Sequence, residues 1–148
     1  MDTVTRGLIA GAAGTAALNI VTYLDMAVRG RPASSAPEDS VQRLADLAGV
    51  DLGEGKAAEH RRAGLGPLLG YATGLGVAVC YGLLVRRRLP RPVAAGVLTA
   101  LAMSGSNVPL ALLGISDPRR WSAADWAADL VPHLAYGAVA ATVDDRLR

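Results

Sequence analysis

Four apolar stretches alternate with polar punctuation along the chain, at residues 7–28, 64–85, 93–115 and 123–143. A helix needs about 20 residues to cross roughly 30 Å of hydrocarbon, and each stretch is close to that length. The first three are nearly uninterrupted. The fourth carries Asp125, Asp129 and His133, so its alternative is an amphipathic helix on the membrane surface. Arg6 before a small-residue run, with Ala-rich sites near Ala17, imitates a secretory signal. Apolar character continues through Ile20, Val21 and Met26, however, and three further runs follow, so an uncleaved first span is expected. The pattern predicts an all-α membrane protein, a single domain of four transmembrane helices in a compact bundle.

The segments between the runs support these boundaries. In the connection 29–63, Ser35, Pro37 and Glu38 form a helix-start signal. Val41, Leu44, Ala45, Leu47 and Ala48 then recur at helical spacing until Gly49. A short amphipathic helix is expected over 37–48, lying on the membrane surface or over the bundle mouth. Residues 53–62 suggest a polar linker. Arg86, Arg87, Arg88, Pro90, Arg91 and Pro92 make a tight basic turn, and Ser116–Asp117–Pro118–Arg119–Arg120 make another. Ser122 followed by Asp125 is a variant capping box, and Trp121 and Trp126 sit where an interfacial aromatic belt would lie.

Composition adds two constraints. The apolar half of the chain is Ala, Val, Leu and Gly, with no Phe, which suits helices that pack closely in lipid. The net charge of +2 comes from arginines, with Lys56 the sole lysine. They flank apolar runs rather than tracking one face with aromatics, which argues against a nucleic-acid partner and for a lipid bilayer. Cys80 is alone, so an intrachain disulfide and a Cys-rich metal site are both excluded. Short loops weigh most in the positive-inside rule. The density of the 86–91 turn therefore places it and both termini in the cytoplasm.

Small residues recur four apart at Gly7/Gly11, Gly70/Gly74 and Gly96/Ala100. Such pairs let helix backbones approach closely. They serve packing within the bundle, or alternatively a homo-oligomer or membrane partner docked on small-residue faces.

Candidate chemistry centres on the fourth run. Asp125, Asp129 and His133 follow in steps of four and Tyr136 in a step of three, so all lie near one helical face. Ionisable groups cost about 2.5–3.5 kcal/mol each at a span's centre and usually face the bundle interior. Capping explains Asp125 but not Asp129 or His133. At about 1.5 Å per residue, these lie roughly 10 and 16 Å in from Ser122. In a hairpin topology Asn19, Tyr23 and Asp25 share that half, as do Tyr71, Thr73, Ser104, Ser106 and Asn107. The opposite half offers Thr15, Cys80, Tyr81, Thr99 and Thr142, and is expected to be dry. The candidate polar cluster is thus Asn19, Tyr23, Asp25, Tyr71, Asn107, Asp129, His133 and Tyr136. Asp25 has an alternative partner in Arg29, one turn on.

Pro109 and Pro132 remove the helical donors of the Gly105 and Ala128 carbonyls. Water, Asn107 or a ligand would satisfy those carbonyls; ordinary membrane-helix kinks are the alternative. Asp129 and His133 could share a proton, because histidine titrates near neutrality. With Asp25 or Asn19 they could offer metal ligands, but no HxxxH or HExxH spacing occurs and His60 lies in the connection. No nucleophilic triad, phosphate loop or dinucleotide fingerprint is present, so neither a catalytic set nor a cofactor is assigned. Three readings stay open: a non-enzymatic protein binding or relaying a proton or small solute, a structural or accessory subunit, and a small enzyme acting on a lipid or isoprenoid.

Several residues resemble the pattern of the YagU-like bacterial inner-membrane proteins. They run from Tyr81–Gly82 through the basic turn and Pro90 to Gly96, then Pro109, Leu113–Gly114–Ile115, Trp121 and His133–Leu134. The opening Gly7–Leu8–Ile9–Ala10–Gly11 is also similar to that family, and the chain looks like short actinobacterial four-helix membrane proteins as well. The resemblance implies an inner-membrane location and, from the family's known member, an association with survival in acid. His133 is the one matched ionisable position.

Overall fold

A computed structural model describes residues 1–148 as helices and short connections without strands. The helices are α1 (Thr3–Arg29), α2 (Ala36–Ala48), α3 (Gly55–Leu84), α4 (Arg91–Leu112) and α5 (Ala123–Leu147), with a 3₁₀ turn at Pro118–Arg120. Three of them, α1, α3 and α4, are long and apolar enough to cross a membrane. Helix α5 is not among them, because Asp129, Pro132 and His133 interrupt its apolar run.

Local chemistry moves several boundaries from those expected. Helix α1 starts early because the Asp2 carboxylate accepts from the Thr5 amide at 2.9 Å. Ser35 precedes α2 but does not cap its backbone; its hydroxyl donates to Asp39 at 2.8 Å instead. The 53–62 linker is mostly helix: residues from Gly55 onward are the first turns of α3. Lys56, Ala57, Ala58 and Glu59 are good helix formers, Ala58 is buried, and Arg61 donates to the Leu52 carbonyl at 2.6 Å. Thirty residues make α3 about 45 Å long, more than one bilayer core. Helix α4 stops at Leu112, since Gly114 adopts a φ of 70° and its amide returns to the Ala111 carbonyl. The Ser122–Asp125 capping box forms in both directions.

The four long helices make a ring of antiparallel neighbours, α1–α3–α4–α5–α1. Close approaches define each seam: Gly7 lies on Val79 and Gly11 on Gly74 and Leu75, while Gly14 meets Tyr136 and Gly105 meets Val77. Gly137 packs on Ala95 and Thr99. Gly7/Gly11 therefore serve packing within the chain, whereas Gly70 and Gly96 face open space. Helix α2 packs along α3, where Val41, Ala45 and Leu52 form a small cluster with Leu69 and Pro37 sits on Gly66.

Residue sizes are distributed the opposite way from those of a water-soluble domain. The central core is Ala10, Ala78, Ala94, Ala102, Ala140 and Ala141 around Tyr81, Leu98 and Tyr136. Ile9, Ile20, Leu24, Val28, Leu68, Leu84, Val108 and Leu112 point outward and are exposed. In water such a surface would drive association; in lipid it costs nothing, and small residues can hold the interior together. This arrangement is compatible with a membrane protein. The outer face of α5 has the same character, with Leu130, Val131 and Leu134 exposed.

Candidate functional site

Helix α5 buries Pro132, His133, Tyr136, Gly137, Ala140, Ala141 and Asp144. These recur at three- and four-residue steps, so they form one stripe facing α1 and α4. Polar members of that stripe need partners inside the protein.

His133 finds them on two helices. Its Nδ1 lies 2.7 Å from the Asp129 carbonyl oxygen, and its Nε2 lies 3.3 Å from the Ser106 hydroxyl of α4. A carbonyl can only accept, so Nδ1 carries a proton in every charge state. In the neutral ring Nε2 is an acceptor and Ser106 donates to it. In the charged ring Nε2 donates to Ser106, whose own proton can turn to the carbonyl of Ala102 at 3.1 Å or Met103 at 3.2 Å. One rotating hydroxyl thus satisfies both states.

A carboxylate stands beside the ring. Asp129 Oδ1 is 3.5 Å from Nδ1, and Asp129 Oδ2 accepts from the Asn107 amide at 2.9 Å. Asn107 is therefore committed to Asp129, not to the carbonyl freed by Pro109. Thr99 donates to the His133 carbonyl at 3.3 Å, and a turn further along Tyr136 donates to the Gly74 carbonyl of α3 at 2.6 Å. No buried side-chain polar atom lacks a partner.

The expected cluster is brought together only in part. Asn107, Asp129 and His133 meet as one network, joined by Ser106 and by Thr99, which the depth arithmetic had assigned to the opposite half. Tyr136 lies on the same stripe but serves the α3 contact. Asp25 is tied to Arg31 and, at 3.5 Å, to Arg29, and Tyr23 is exposed. Asn19 and Tyr71 are half-buried and make no side-chain hydrogen bond. No three His, Cys, Asp or Glu side chains are grouped to hold a metal ion.

The half expected to be dry holds a second polar cluster. Asp144 accepts from Arg6 of α1 at 2.7 Å and from Arg148 at 2.8 Å. Its neighbour Asp145 accepts from Arg88 at 2.8 Å and Arg91 at 2.9 Å, and these hydrogen bonds hold its carboxyl below the usual range. The signal was present in the sequence: Asp144 continues the 133–137–140 spacing and Arg148 follows it by four. No family model, curated protein or solved structure matches the chain.

Proposed function

We propose that this is a small, non-enzymatic integral membrane protein in which α1, α3, α4 and α5 all span the bilayer, with His133 as an intramembrane proton-binding group. The apolar outer face of α5, Leu130, Val131 and Leu134, supports the fourth span, because its polar residues turn inward to the ring. The observation that carries the proton reading is the Ser106 hydroxyl opposite Nε2, able to accept from the charged ring or donate to the neutral one. Asp129 Oδ1 lies 3.5 Å from Nδ1, the ring nitrogen that keeps its proton. A solute would need open ligands; a proton needs only an acceptor. We place the chain in a bacterial inner membrane with both termini cytoplasmic, and kinship with the YagU-like proteins belongs to the same proposal.

A second reading has support from the complete satisfaction of the network. Buried polar groups with every partner in place can simply fix helix register, as an accessory subunit of a membrane complex would use them. Proton uptake separates the two. For purified chain in lipid vesicles, wild type is expected to take up a proton on acidification. H133A abolishes this uptake and D129N alters it. Loss of stability in both variants with uptake unchanged would refute the proton reading and leave the structural one.

A further inference from the structure

At the other end of the ring, Arg6, Arg86, Arg88 and Arg148 line a cavity of about 630 Å³ whose apolar wall includes Leu83 and Val85. The charges around it do not balance. Arg6 and Arg148 share the single carboxylate of Asp144, each through Nε, and their side chains are only 12% and 15% exposed. Neither terminal guanidinium nitrogen of either residue has a protein acceptor. Arg88 shares Asp145 with Arg91, and Arg86 makes no ion pair. Four arginines thus line one opening that no carboxylate lines, and Arg6 and Arg148 have only one carboxylate between them. Forked guanidinium groups with unused N–H donors match the oxygens of a phosphate.

Position indicates where that phosphate comes from. The cavity lies where α3 leaves its apolar run, and Leu83 and Leu84 beside it are 51% and 78% exposed. An occupant would have its anionic part among the arginines and an apolar part along these leucines. We propose that the cavity binds the phosphate of an anionic phospholipid headgroup on the membrane face that carries the 86–91 turn. This inference rests on α1 and α3 spanning the bilayer and is independent of the His133 network.

The test uses full-length protein in phosphatidylcholine bilayers with and without phosphatidylglycerol, reading thermal stability and, by native mass spectrometry, retained lipid. Wild type is expected to be stabilised by phosphatidylglycerol and to retain it. R86Q and R148Q should each weaken retention about fivefold, while R119Q/R120Q at the opposite face should not. Because Arg86 has no ion-pair partner, R86Q keeps the comparison valid if R148Q impairs folding. Retention by R86Q and R148Q equal to wild type, or an equal loss in R119Q/R120Q, would overturn the proposal. Adding inorganic phosphate distinguishes the sources. Displacement of the lipid with equal stabilisation in phosphatidylcholine assigns the cavity to free phosphate and overturns the lipid occupant; no displacement supports it.

Discussion

Replacing Gly11 with alanine measures how tightly the ring is closed. A Cβ there would lie 2.8 Å from the Gly74 carbonyl oxygen, 2.8 Å from Leu75 Cα and 3.2 Å from Ala78 Cβ. Two of the three atoms are backbone, so no side-chain rotation relieves the contact. Carbon atoms rest at about 3.5–4.0 Å, so α1 and α3 must separate by roughly 0.7 Å at this level. That movement also loosens the Gly7–Val79 contact one turn away. Overpacking of this kind costs about 1–3 kcal/mol, and backbone contact puts Gly11 near the upper end. Alanine returns up to about 1 kcal/mol of helix propensity, which leaves a net loss of about 2 kcal/mol. Gly96 provides the opposite case. Nothing lies within 4 Å of its Cβ position, so G96A should gain up to about 1 kcal/mol. Thermal unfolding followed by circular dichroism in one lipid would show the opposite signs, with G11A lowered by roughly 5 °C. G11A as stable as wild type would refute the packing argument. A loss in G96A comparable to that of G11A would show that the Gly96 face is covered by another chain.

Two further predictions concern the charged end. D144A leaves Arg6 and Arg148 without their common carboxylate at a site where Asp144's side chain is 7% exposed; breaking such a pair costs about 3–5 kcal/mol. Denaturant titration should show that loss, and a change below 1 kcal/mol would mean that water or lipid already compensates the arginines. Asp145 and Asp117 are both held below their ordinary value of 3.8, by hydrogen bonds from Arg91 and Arg88 and from Arg119 respectively. When folding lowers a carboxyl's pKa, its contribution is full above the ordinary value and disappears as pH falls through the lowered one. Stability should therefore decline on acidification below about pH 4, and less steeply in D145N; identical acid limbs would refute the linkage.

Much of the architecture is legible in the chain because hydrophobic length and helical spacing are local properties. The spans over α1, α3 and α4, the amphipathic α2 and the Ser122–Asp125 cap all follow from residues within a few turns of one another. The misreadings have physical causes too. Residues 55–62 look like linker because polar composition resembles a loop, yet Lys, Ala, Glu and Arg are also helix formers, and Ala58 finds burial. Depth arithmetic along straight helices puts Asp129, His133 and Asn107 at one level. It could not separate Asp25 from them, since azimuth around α1 and the reach of Arg31 are tertiary facts. Asp144 lies beyond the fourth apolar run, so hydrophobic length does not point to it, although its spacing places it on the buried stripe.

The order of the helices gives α5 a particular place in the protein's assembly. During synthesis α1, α3 and α4 emerge first, and their facing surfaces leave Thr99, Ser106 and Asn107 along one groove. Helix α5 is too polar to enter lipid readily by itself, but a helix arriving beside that groove meets donors and acceptors already in position. Its insertion would then depend on the company of the earlier helices. On the proposal that α5 spans the bilayer, the Arg6–Asp144 ion pair would act as the final latch, formed once the last helix has come to rest beside the first.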